Sequence, residues 1–215
     1  GVVMKAHYNG LIPRNPFIQF HISPNVKERE YLTEDELKAV MTHEFADSKL
    51  AYIRDIFIFA SFTALSFVDI QELTNDNIVE VNGEKWILSK RHKTKVAFQV
   101  KLLDIPLQIV ERYRPMQKDN RIFPGLNYWS ICKPLKRMIR ECGITKSISF
   151  HCSRHGFATL ALSKGMPIES VSRVLGHTNI VTTQLYAKIT TQKLDNDLTM
   201  FGDKLSKTFN GITMS

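Results

Sequence analysis

Two imidazoles, a guanidinium and a phenol fall within 36 residues of this 215-residue chain: His151, Arg154, His177 and Tyr186. These are the side chains a phosphodiester needs if it is to be broken without a metal. Arginine neutralises non-bridging oxygens with a planar fork of N–H donors. Histidine moves a proton near neutral pH. Tyrosine supplies an oxygen nucleophile that forms a covalent link to phosphorus. Each residue alone has a plainer reading. His151 and Arg154, three apart, would share a helix face whatever their purpose. A tyrosine in T-T-Q-L-Y could be a core aromatic with a wet hydroxyl. The order, the spacing and the Leu175-Gly176-His177 context together favour the chemical reading.

Charge and composition agree with it. Lys and Arg number 29 against 21 Asp and Glu, a formal charge of +8. That excess favours a polyanionic partner, nucleic acid being the commonest. Apolar residues make up 43% of the chain, which argues against wholesale disorder. Cys132, Cys142 and Cys152 are odd in number and form no C-x-x-C pair. A disulfide framework or a zinc site is therefore not expected, and a reducing cytoplasm fits. The apolar stretch 56–68 is broken by Ser61, Thr63 and Ser66. It is too short to span a bilayer and reads as a core helix.

The elements that must position these groups are legible in outline. Residues 1–24, punctuated by Pro13, Pro16 and Pro24, read as a connector. Thr33 with Glu36 three residues on is a capping box, so a helix should start there. A second helix runs from about Ser48 into the apolar stretch, and 68–73 looks like a further turn. The period then switches: 78–81, Asn82-Gly83 and 84–88 form a hairpin with a type I′ signal, and 96–100 can add a third strand. The link between the second and third strands, 90–95, carries four Lys/Arg and one His. It is either a solvated loop tip or a basic finger on a phosphate backbone, with Lys90, Arg91 and Lys95 as DNA contacts. Helical patterns return at 107–114, 128–141, 155–164 and 167–175, the last with Pro167 at its start and Gly176 just past its end. Leu194, Leu198, Phe201 and Leu205 then mark a one-faced amphipathic helix. The expected fold is α+β, mainly α-helical, with a small three-stranded antiparallel sheet. The expected division is a linker over 1–24, a catalytic domain over 25–190 and a tail helix over 191–215.

His151-x-x-Arg154, Leu175-Gly176-His177 and a tyrosine nine residues later resemble the signature of the tyrosine recombinases, also called phage-type integrases. The resemblance extends from about Tyr31 to Ala187. It implies a recombinase catalytic-domain fold and site-specific DNA breaking and rejoining through a 3′-phosphotyrosyl link, used to integrate or excise a mobile element. It further implies no cofactor or metal, double-stranded DNA as partner, and no membrane. The protein would act in a prokaryotic cytoplasm, on the nucleoid, as a monomer that forms a tetrameric synaptic complex on DNA. An N-terminal domain clamping the duplex would precede residue 1. In the family a hairpin lysine precedes a threonine or glycine; Lys93-Thr94 matches, so Lys93 would protonate the departing 5′ oxygen. The family's upstream arginine is expected where Ser66 stands. The chain is similar in this to the integrases of conjugative and mobilisable transposons. Two surrogates are open: Arg91, two residues from Lys93 and so on the same face of an extended strand, and Arg54 on the preceding helix.

Three other functions compete, the weakest being a metal-dependent nuclease with Asp195 and Asp197 as a carboxylate pair, for which the sequence offers no matching acidic cluster. A helix-turn-helix DNA-binding regulator would account for 163–186 and the basic charge, but not for His151, Arg154 or the hairpin lysine. A type IB topoisomerase would share the covalent chemistry without needing paired sites.

Overall fold

The computed structural model describes residues 2–17, 30–93, 95–117, 119–187, 191–208 and 210. A short helix α1 (Val2–Tyr8), with no buried residue, opens the chain. The expected connector is thus helical at its start, and its portion 18–24 lies outside the described residues. Helix α2 (Glu34–Thr42) begins at Thr33, whose Oγ1 accepts from the Glu36 N–H while the Glu36 carboxylate accepts from the Thr33 N–H. These bonds satisfy two main-chain donors that a helix start leaves open.

Helix α3 (Ser48–Thr63), capped by Asp47, is the centre of the domain. Leu50, Ile53, Ile56, Phe57, Ile58, Phe59 and Ala60 are all buried, so it is enclosed on every side. It packs against α5 (Asp104–Tyr113), α6 (Tyr128–Glu141) and α7 (His151–Ser163). A single turn, α4 (Phe67–Gln71), follows it after the left-handed Ala64. Strands β1 (Ile78–Val81), β2 (Glu84–Lys90) and β3 (Ala97–Lys101) form an antiparallel meander. Asn82 and Gly83 both have positive φ, as a type I′ turn requires, and set Val81 opposite Glu84. Ile87, Phe98 and Val100 put one face of the sheet into the core.

Helix α8 (Ile168–Leu175) packs against both α7 and β3. A second, smaller core joins Ala64, Ala158, Leu162, Val171 and Leu175, and Tyr186 and Ala187 pack on its rim. After the one-turn α9 (Val181–Gln184), helix α10 (Thr191–Thr208) carries the anticipated apolar stripe. Leu194, Leu198, Phe201 and Leu205 stay exposed on it. An apolar stripe of this kind is ordinarily buried, and the described residues do not bury this one. Among the described residues, no helix is long and apolar enough to cross a membrane.

Candidate active site

The site is built around the C-terminal end of α8. The last carbonyls of a helix lack intrahelical donors and sit at its negative pole. Here two successive ones take an arginine each. Arg154, in the first turn of α7, donates through Nη1 to the Ala64 carbonyl at 2.9 Å and through Nη2 to the Leu175 carbonyl. Arg91 donates through Nη2 to the Val174 carbonyl at 2.5 Å and through Nη1 to Asp69 Oδ2 at 2.7 Å. Both guanidiniums are buried. Arg91 also lies over the Phe98 ring at 4.0 Å, and its Nε is buried without a hydrogen-bond partner among the described residues.

Arg91 continues the inward side of β2, two residues beyond half-buried Ser89 and four beyond buried Ile87, and the regular strand ends just after it. Its N–H donates to the Val96 carbonyl and its carbonyl accepts from the Lys95 N–H, both at 2.8 Å, with Lys95 at φ +57°. The strand alternation expected to place Arg91 and Lys93 on one face is therefore broken. Arg91 turns inward, 5% exposed, while Lys90, Lys93 and Lys95 remain exposed. Arg91 is consequently not on the outer surface of the basic finger with Lys90 and Lys95. Thr94 lies outside the described residues.

Asp69 organises this half of the site. It accepts from Arg91, from the Ser66 hydroxyl at 2.7 Å and from the His92 N–H at 3.0 Å. Burial works to raise its pKa, but the His92 N–H, Arg91 and Ser66 bonds outweigh that and hold it below the ordinary aspartate value. Ser66 is thus the cap of α4 and a ligand of the carboxylate that anchors Arg91. Arg54 is elsewhere. It lies ten residues before Ala64 on α3, roughly 15 Å along the helix. It is held by Asp55 Oδ1 at 2.9 Å and by the His43 carbonyl at 2.8 Å. The structure does not bring it to the two arginines.

Gly176 ends α8 at φ +61°, and a Cβ there would stand 2.9 Å from both Cγ and Nε of Arg91. The position needs glycine for its backbone and for the close approach of the guanidinium. His177 follows at once. Its Nδ1 lies 2.8 Å from Oγ1 of the buried Thr183. Burial first, then the charges of Arg154, Arg91 and His151, push its pKa down to about 4, so the ring is neutral near pH 7. Burial and the neighbouring Arg91 likewise lower Arg154 to about 10, still charged at neutral pH. The Tyr186 ring lies nearly parallel to that of His177, with centroids 6.5 Å apart, and half-buried. His151 is exposed at the start of α7, near enough for its charge to act on His177.

The whole arrangement falls within residues 30–193, the span matched by the model of the phage integrase family. The chain belongs to the phage integrase family. Tyrosine recombinase XerA of Pyrococcus horikoshii is 32% identical over 177 residues, 76% of this chain and 58% of that protein. Tyrosine recombinase XerD of Listeria innocua is 26% identical over 204 residues, 87% of this chain and 67% of that protein. The chain thus spans about three-fifths to two-thirds of these relatives. Among solved structures, the fold is similar to the Tn1549 transposon integrase in complex with a circular intermediate DNA, with a TM-score of 0.76 at 17% identity over 92% of this chain and 74% of that one. It is also similar to the XerH recombinase bound to its difH substrate in a post-cleavage complex, with a TM-score of 0.68 at 22% identity over 85% and 56%.

Several participants in this integrase-family site were not singled out from sequence. Asp69 carried a usable signal, since Ser66-x-x-Asp69 is a capping box that fixes where the carboxylate sits. Thr183 and the carbonyls of Ala64, Val174 and Leu175 carried none, because a main-chain acceptor is chemically the same at every residue.

Proposed function

We propose that this chain is the DNA-cleaving part of a site-specific recombinase that integrates or excises a mobile element. One observation carries the reading: Arg91, Arg154, His177 and Tyr186 converge on the end of α8, from four separate segments. Tyr186 Oη attacks phosphorus and the P–O5′ bond breaks, leaving a 3′-phosphotyrosyl link and a free 5′ hydroxyl. His151 assists removal of the phenolic proton, and Lys93 gives a proton to the departing oxygen. Arg154 and Arg91 stabilise charge on the non-bridging oxygens, the usual main source of phosphoryl-transfer catalysis. The neutral His177 donates a hydrogen bond to one of them. Bond energy is kept in the phosphotyrosyl link, so a 5′ hydroxyl from another strand reverses the step without a nucleotide cofactor.

Of the two candidate surrogates for the cation missing at Ser66, the burial of Arg91 beside Arg154 supports Arg91. Exposed Lys90, Lys93 and Lys95 fit a hairpin edge laid along a phosphate backbone. The bare apolar stripe of α10 fits docking on a neighbouring subunit, in a tetrameric synaptic complex assembled on DNA from free monomers. The setting is a prokaryotic cytoplasm.

The test is a nicked suicide duplex, from which the released strand diffuses away and traps the covalent adduct on a denaturing gel. Wild-type protein should form the adduct, and Tyr186→Phe should form none while binding DNA as before. An adduct at wild-type level in Tyr186→Phe would overturn the assignment. Relaxation of a supercoiled plasmid lacking paired sites would favour the topoisomerase reading instead.

A further inference from the structure

The geometry points to His155 as a positioning residue that sets the ring of Tyr186, with Tyr31 as its backing. This rests on the proposed role of Tyr186 as nucleophile. His155 follows Arg154 on α7. Its ring stacks on Tyr31, with centroids 5.0 Å apart and planes 27° apart. It meets Tyr186 edge to face, at 4.8 Å and 85°. Both are favoured aromatic geometries, and together they make a three-ring row that ends at the nucleophile.

The two ends of that row differ in firmness. His155 stands on a helix fixed on either side by buried Arg154 and buried Ala158. Tyr31 immediately precedes buried Leu32 and the Thr33 cap, and its carbonyl accepts from Lys146 Nζ at 3.2 Å. Tyr186 instead follows a one-turn helix, held locally by a bond from its N–H to the Thr183 carbonyl. Its ring therefore takes its direction from side-chain neighbours. The smaller apolar cluster packs against it, His177 lies nearly parallel at 6.5 Å, and His155 makes the nearer ring contact. In-line attack needs the phenolic oxygen placed to within a fraction of an ångström, and a displacement of about 1 Å costs on the order of 100-fold in rate.

The experiment measures single-turnover adduct formation on the nicked suicide duplex at saturating protein, beside DNA affinity and thermal melting. His155→Ala should slow adduct formation by on the order of 100-fold with DNA affinity unchanged. His155→Phe keeps a ring in place and should recover most of the rate. Tyr31→Ala, which removes only the backing, should slow the step by about 10-fold, and Tyr31→Phe should restore it. The double Ala variant should be no slower than His155→Ala, since both act through one ring. A 5′-bridging phosphorothiolate substrate, whose leaving thiolate needs no proton, should not rescue His155→Ala.

Wild-type rates in His155→Ala would overturn the inference. So would rescue by the phosphorothiolate, or His155→Phe as slow as His155→Ala. If His155→Ala does not fold, the two Tyr31 variants and His155→Phe decide the matter. A wild-type protein that binds DNA yet forms no adduct would instead sink the proposed reaction itself, and this inference with it.

Discussion

Adding one methyl group at Gly176 should cost this protein both stability and chemistry. Alanine at φ +61° bears the left-handed penalty of about 1–2 kcal/mol. Its Cβ would also sit 2.9 Å from Cγ and Nε of Arg91, atoms confined by Asp69, the Val174 carbonyl and the Phe98 ring. Overpacking of this kind costs about 1–3 kcal/mol. Gly176→Ala should therefore lose roughly 2–5 kcal/mol in urea unfolding. Gly143→Ala is the internal control: φ is +75° and a Cβ there meets nothing within 4 Å. It should lose only the backbone share, about 1–2 kcal/mol, and cleave DNA at the wild-type rate. Relief of the clash displaces Arg91, so Gly176→Ala should slow adduct formation by roughly 10- to 100-fold even where it is fully folded, the upper figure corresponding to about 1 Å. If the two variants are equally stable and cleave equally well, Arg91 does not pack on Gly176 as described, and the reasoning fails.

The two arginines proposed as surrogates should separate cleanly. Arg91→Ala should lower the cleavage rate by roughly 100- to 1000-fold, with DNA affinity falling far less, while Arg54→Ala should cleave nearly as wild type; the reverse pattern in single-turnover assays would return the role to Arg54. Neutralising Lys90 and Lys95 together should reduce the slope of log K against log salt by about 1–2, measured by titration of labelled duplex; an unchanged slope means that the loop faces solvent. His177 gives a pH dependence. The unfolded ring takes a proton as pH falls through about 6.5, but the folded ring holds out to about 4. Stability should therefore fall between these values and level off below, by no more than about 1–2 kcal/mol because the ring is partly solvated, and His177→Asn should remove that component.

Where sequence reasoning succeeded, local chemistry specified local geometry. The Thr33–Glu36 capping box starts α2, Asn82-Gly83 forms the type I′ turn, and Gly176 ends α8 in the left-handed region. Where it fell short, tertiary contacts decided. The helix carrying His151 and Arg154 starts at His151, four residues before the apolar pattern at 155–164 declares it. No side chain caps it, and Phe150 enters in the αR conformation, so nothing local marks the start. The 90–95 link reads as a solvated tip or a basic finger, and neither reading anticipates a buried Arg91. Lys90, Lys93 and Lys95 are outward, while Arg91 turns in because Asp69 and the Val174 carbonyl are there to receive it. Neither partner is visible from the residues around Arg91. The hydrogen bond between Thr183 and His177 belongs to the same class, a contact across a turn with no periodic signature.

The electrostatics of the site explain why it is suited to the proposed substrate. Two guanidiniums are buried side by side, and among the described residues the one carboxylate hydrogen-bonded to the pair is Asp69, on Arg91. The remaining compensation comes from dipoles: the carbonyls of Ala64, Val174 and Leu175, reinforced by the negative pole of α8. Dipoles hold a cation in place without cancelling its charge, and the excess shows in the neighbours. Arg154 is lowered to about 10 by burial and by Arg91, and His177 to about 4 by burial and by both arginines. A group that carries one negative charge and accepts from several donors would relieve both perturbations at once. A phosphodiester does so in its ground state, and the trigonal bipyramid of the cleavage step, with a further charge on its oxygens, does so more. The positive potential of the site is therefore worth most at the transition state, the condition for it to speed the proposed reaction rather than only to bind DNA.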